Sequence, residues 1–148
     1  MTTIVYNHKD GEIASDSQVT SGDLIQPWKC TKLIRINSGW VAMSGSVVDY
    51  GSYINILEGK DISGDKTNLK NQCLVIPDKG DSYNFWFDSL GHPVKEVVTG
   101  SWAIGSGREY ALGALAVGAS AKEAVRAAIK YDIYSGGKIV VKSRGDLK

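Results

Sequence analysis

A threonine pair, Thr2-Thr3, directly follows Met1, and an alternating run then turns back at Asp10-Gly11. The hydroxyl of Thr2 is either the plain end of a strand or a group to be exposed once Met1 is removed. Lys32 alternates with Cys30, Ile34 and Ile36, so it shares what reads as the buried face of a strand. Lysine is almost never buried unpaired. Either its stem snorkels to the surface or it meets an anion, and Asp16, on the same face as Ala14, is a candidate that the sequence alone does not pair with it. Asp132 falls about three helical turns beyond Ala121 on an apolar stripe, with Ser135 one turn later. A carboxylate aimed at a core costs several kcal/mol unless it is hydrogen-bonded or paired, so Asp132 has partners or has turned to solvent at a helix end. Gly105-Ser106-Gly107 stands between a strand and a helix, where it is either a tight turn with a serine cap or a hydroxyl beside free amides. Ser44-Gly45-Ser46 follows the same logic, and an unpartnered glycine amide there can stabilise a developing oxyanion.

The elements that must position these groups read as follows. Residues 2–9 alternate, with Thr2, Ile4 and Tyr6 on one face and Thr3, Val5 and Asn7 on the other. Asp10-Gly11 predicts a two-residue hairpin turn, with a return strand over 12–19 and a loop over 20–27. Strands at 32–37 and 40–43 are joined at Ser38-Gly39. A helix follows over 47–57, and the polar stretch 58–70 reads as loop or a short helical turn. Strands return at 72–76, 83–88 and 94–98. A small-residue helix covers 108–117. Ser120-Ala121-Lys122-Glu123 is a capping box, behind which Ala121, Ala124, Val125, Ala128 and Ile129 form one apolar face, with Lys122, Glu123, Arg126 and Lys130 opposite. Gly136-Gly137 is expected to stop that helix, and 138–142 is a closing strand. Strands, helix, strands, two helices, strand is an α+β order, in which helices cover packed sheets.

The 148 residues are expected to form a single domain, 1–148, long enough for a sizeable core. Seventeen basic residues balance 16 acidic ones without a charge block, which argues against a nucleic-acid partner and gives no sign of a membrane one. No apolar run approaches the roughly 20 residues of a membrane span, and no signal sequence is read at the start, so a cytoplasmic protein is expected. Cys30 and Cys73, few and far apart, are expected to be reduced. His8 and His92 have no metal-ligand spacing, which argues against zinc, and neither stands in a context suited to a serine–histidine–aspartate triad. There is no phosphate loop or dinucleotide fingerprint. Phe85, Trp86 and Phe87 read as core and interface.

Taken in order, the segments TTIVYNHKDGEIASDSQVTSG, TKLIRI, MSGSVVDY, IGSGREYALGAL and YDIYSGG resemble the proteasome-type N-terminal-nucleophile hydrolases, in particular their bacterial HslV branch. The resemblance implies a threonine peptidase with a four-layer αββα sandwich of two antiparallel sheets. Residues 59–70 are polar where the family carries a second helix, so one helical layer is expected to be reduced. The resemblance further implies that Thr2, freed of Met1, is the nucleophile with its own α-amine as base. Lys32 then favours deprotonated neighbours with Asp16 as counter-charge, Gly45 offers the oxyanion amide, and Ser106, Asp132 and Ser135 orient the amine. It implies polypeptide substrates, a homo-oligomeric ring, an ATP-dependent unfoldase partner, and chemistry that requires no cofactor. A small-amide hydrolase of the same fold and a non-catalytic ring or scaffold are the alternatives.

Overall fold

The alternation at the N-terminus folds into strand β1 (Thr3–Asn7), antiparallel to β2 (Glu12–Ser15), in a computed structural model that describes residues 2–60 and 63–147. Asn7 pairs with Glu12, so the turn spans residues 8–11 and is wider than the two-residue one expected. The Asn7 carboxamide oxygen accepts from the amides of Lys9 and Asp10 at 3.1 and 3.4 Å, a side-chain turn that holds the extra residues. The return strand is shorter than predicted, because the chain leaves the sheet after Ser15. It continues as β3 (Gln18–Ser21), which pairs with β4 (Leu24–Lys29) in a separate two-stranded ribbon where a loop was expected. Pro27 is tolerated in β4 because each strand of a ribbon has a free edge.

The larger sheet runs in chain order through β5 (Leu33–Ile36), β6 (Gly39–Ser44), β7 (Gln72–Pro77), β8 (Ser82–Phe87) and β9 (Pro93–Val98). Ile36 pairs with Gly39, so Asn37 and Ser38 make the β5–β6 turn, one residue earlier than expected. The smaller sheet has the order β10-β1-β2-β11, with β10 (Trp102–Gly105) and β11 (Val140–Ser143). Strand β10 is the strand expected ahead of Gly105-Ser106-Gly107, and its register against β1, Thr3 opposite Gly105, sets its bounds.

Three apolar layers hold these sheets and their helices together. Ile4, Tyr6, Trp40, Leu74 and Ile104 pack between the two sheets. Val5, Ala14 and Ala103 meet Ala111 of α2 (Arg108–Ala116) and Ala124 and Ala128 of α3 (Ala121–Tyr131). On the far side, Val41, Val75, Phe85 and Phe87 meet Tyr50 and Tyr53 of α1 (Tyr50–Leu57), which follows a short 3₁₀ turn, Val47–Asp49. The result is the expected four-layer order with one helical layer reduced to α1. Among the described residues, 58–60 and 63–70 form turns and irregular chain; residues 61–62 of that stretch lie outside the described residues. No helix among the described residues is long and apolar enough to cross a membrane. Cys30 and Cys73 are free thiols.

Helix α3 begins as predicted. Ser120 Oγ accepts from the Glu123 amide at 3.1 Å, and Glu123 Oε1 accepts from the Ser120 amide at 3.0 Å. Ser120→Ala is expected to cost about 1 kcal/mol in urea or thermal melts and to leave any turnover unchanged, since the box lies at the end of α3 away from Asp132. The helix stops at Tyr131, ahead of Gly136-Gly137, with Asp132 as its C-terminal cap.

Candidate active site

All seven positions singled out in the sequence lie at element ends, and the fold brings these ends together. Thr2 immediately precedes β1, Asp16 follows β2, and Lys32 precedes β5. Gly45 follows β6, Ser106 follows β10, and Asp132 and Ser135 follow α3. Ends of elements are where side chains and free backbone groups can converge without breaking a ladder.

Lys32 does not snorkel. Its residue is 2 % exposed, and its Nζ donates to Asp16 Oδ1 at 2.9 Å, with Asp16 0 % exposed. The carboxylate is satisfied on both oxygens: Oδ1 also accepts from the Thr3 amide at 3.0 Å, and Oδ2 from the Gly136 amide at 3.1 Å. Asp16 in turn donates its own amide to the Thr3 carbonyl at 3.1 Å. Burial pushes the Lys32 ammonium below the usual lysine range, with the Asp16 charge opposing the shift. A lysine held this way gives up its proton more easily than one in water.

Asp132 does not turn to solvent either. Its Oδ2 accepts from Ser106 Oγ and from Ser135 Oγ, both at 2.6 Å, and its Oδ1 accepts from the Tyr134 amide at 3.2 Å. Distances of this length are those of hydroxyls donating to an ionised carboxylate. With its proton committed to Asp132, Ser106 Oγ is left as the acceptor for Thr2 N, 3.2 Å away. Ser135 Oγ, likewise committed, accepts from Thr3 Oγ1 at 2.6 Å. Ser106 is therefore not a helix cap: α2 starts after Gly107 and has no side-chain cap bond.

Thr3 is the residue that sequence reasoning missed. Its amide binds the Asp16 end of the site and its hydroxyl binds the Ser135 end, so one buried residue joins two polar clusters into one network. The doubled threonine was the available signal. The glycines flanking Ser106 are demanded by close packing. Gly105 has φ +99°, and a Cβ there would overlap the Thr2 carbonyl oxygen. A Cβ on Gly107 would overlap Thr3 Oγ1 and come within 3.2 Å of Asp132 Oδ2. Only glycine lets β10 approach the chain start this closely.

Thr2, Lys32, Gly45, Val47, Val48 and Tyr50 line a cavity of about 190 Å³. A broader groove of about 550 Å³ continues past Gly45 and Ser46 between the β3–β4 turn and Tyr134. The lysine of the buried ion pair, Gly45 and Thr2 thus border one opening. Among the described residues no cluster of histidine, cysteine, aspartate or glutamate could hold a metal ion. Removal of Met1 lies outside the described residues.

No family model matches the chain, and no curated protein matches it. Solved structures do. Thiobacillus denitrificans BPH in complex with epoxomicin superposes with a TM-score of 0.68 at 21% identity, over 98% of this chain and 100% of that one. HslV from Trypanosoma brucei superposes with a TM-score of 0.70 at 23% identity, over 95% and 98%. These likenesses establish the fold: the chain has the N-terminal-nucleophile hydrolase fold of HslV and the proteasome-like peptidases.

Proposed function

We propose that this protein is a threonine peptidase that cleaves polypeptides with Thr2 as nucleophile once Met1 is removed. The observation that carries the reading is the hydrogen-bonded path from Thr2 N through Ser106 to the buried carboxylate of Asp132. A strand end needs no such path. A catalytic α-amine does, because it must be held beside its own hydroxyl and its charge must be stabilised once it has taken a proton.

In this reading the α-amine of Thr2, with an ordinary pKa of roughly 7.7–8.0, accepts the Oγ1 proton as Oγ1 attacks the substrate carbonyl. The Gly45 amide receives the oxyanion. The ammonium is oriented by Ser106 and stabilised by Asp132, and it then returns the proton to the leaving amine as the peptide C–N bond breaks. Water, deprotonated by the same amine, hydrolyses the resulting ester and frees Thr2. Lys32 keeps positive charge near the hydroxyl without competing for its proton.

Substrate confinement in a homo-oligomeric ring belongs to the same proposal. Leu24, Ile25 and Trp28 are well exposed on the β3–β4 ribbon, beside the groove, and such a patch suits association with further copies of the chain. An ATP-driven unfoldase as partner follows from the resemblance alone. Turnover of a fluorogenic peptide amide tests the proposal: Thr2→Ala is expected to abolish it, and Thr2→Ser to retain a measurable part. Full turnover in Thr2→Ala removes Thr2 from the chemistry.

A further inference from the structure

Asn71 stands just before β7, next to the turn at Gly45, and is 2 % exposed. Its carboxamide closes a two-point contact with a single residue of that turn. The Ser46 amide donates to Asn71 Oδ1 at 3.2 Å, and Asn71 Nδ2 donates to the Ser46 carbonyl at 2.8 Å. Gly45 has φ +114°, and a Cβ on it would lie 2.8 Å from Asn71 Cγ and 2.9 Å from its Cα and Oδ1. The side chain therefore packs against Gly45 while its hydrogen bonds hold the next residue, Ser46.

Asn71 is itself held at both main-chain groups. The buried hydroxyl of Tyr53 accepts from the Asn71 amide at 3.0 Å and donates to the Asn71 carbonyl at 3.2 Å. One turn earlier on α1, Tyr50 donates to the Met43 carbonyl at 3.1 Å, on the strand that leads into Gly45. The two tyrosines reach both chain segments that flank the turn. That gives the remaining helix of the reduced layer a task beyond covering the sheet.

We infer that Asn71 is a positioning residue for the Gly45 amide, with Tyr53 holding Asn71 in place. The inference rests on the proposed acyl transfer at Thr2, in which that amide receives the oxyanion. A donor misplaced by a fraction of an ångström loses most of its effect on the transition state while the ground-state substrate still binds.

The test compares wild type, Asn71→Asp and Tyr53→Phe with a fluorogenic peptide amide as substrate and a peptide aldehyde of the same sequence as inhibitor. Asn71→Asp keeps the acceptor for Ser46 but sets an oxygen against the Ser46 carbonyl. Its kcat is expected to fall about 10- to 100-fold with KM changed by less than about threefold. The aldehyde, which forms a tetrahedral oxyanion adduct, is expected to weaken in proportion to kcat/KM. Tyr53→Phe is expected to lower kcat by roughly three- to tenfold. A lower melting temperature with kcat and aldehyde affinity unchanged makes Asn71 a purely structural residue and overturns the inference. Should Asn71→Asp not fold by circular dichroism, Tyr53→Phe decides alone, and an unchanged kcat overturns it. Wild type inactive with Met1 removed overturns the peptidase reading and this inference together; active wild type with both variants unchanged overturns only the inference.

Discussion

Lys32→Met is expected to lower peptide hydrolysis by about 10³-fold or more and to destabilise the fold by about 3–5 kcal/mol. The two effects have separate causes. The stability loss comes from leaving the Asp16 carboxylate charged in a site with 0 % exposure after its cation is gone. The activity loss comes from removing the positive charge beside Thr2. A double variant, Lys32→Met with Asp16→Asn, separates them, since neutralising both partners of a buried pair is often close to neutral for stability. Its melting temperature is expected to recover while its turnover does not. Lys32→Arg is not expected to rescue activity, because its bulkier planar fork does not fit the buried place of an ammonium. The pH dependence of stability carries a further sign. The folded-state pKa of Lys32 lies below its unfolded value, so the unfolded chain binds more protons between the two. Wild type should therefore gain stability relative to Lys32→Met as pH rises from the folded value toward the ordinary lysine pKa of about 10.4. Urea melts across that interval read the slope, and the opposite slope contradicts the burial account.

Asp132→Asn is the second large effect. Two serine hydroxyls donate to one oxygen of this carboxylate at 2.6 Å. A carboxamide in its place either offers an N–H to hydroxyls that have no spare proton demand or turns a weaker, neutral acceptor to them. Ser106 is then free to rotate away from Thr2 N, and the positive charge developing on the amine loses its stabilising anion. A fall in kcat of about 10²-fold is expected, together with about 1–3 kcal/mol of stability for the weakened charge-assisted bonds. Steady-state kinetics and denaturant melts on the same preparation measure both. An unchanged kcat would place Asp132 in a purely structural role.

Much of the fold was legible because its elements carry their own periodicity. The first hairpin and α3 each present an apolar face and a local boundary signal, and the capping box at Ser120 is a bond between residues three apart. What escaped was non-local. A strand ahead of Gly105 was expected, but its bounds, Trp102–Gly105, are set by β1 beside it. The β3–β4 ribbon packs little apolar surface inward and contains Pro27, so neither burial nor propensity marks it. The site divides in the same way. Lys32 and Asp132 were conspicuous as polar residues on apolar faces, yet the sequence could not choose between pairing and exposure; the fold resolves both to pairing. Asp132 leaves the helix earlier than its spacing suggests because its two oxygens are taken up by Ser106, Ser135 and the Tyr134 amide. Thr3 and Asn71 were invisible because each looks ordinary in its own segment and acquires importance only from residues far away in the chain.

The central claim is that Thr2, as the first residue of the active chain, carries the acyl group. Quenching the protein in acid during turnover of a peptide ester, followed by intact mass and peptide mapping, measures this directly. The account predicts a chain lacking Met1 with one acyl group mapped to Thr2. An acylated chain that retains Met1, or an acyl group mapped to any other residue, would contradict it.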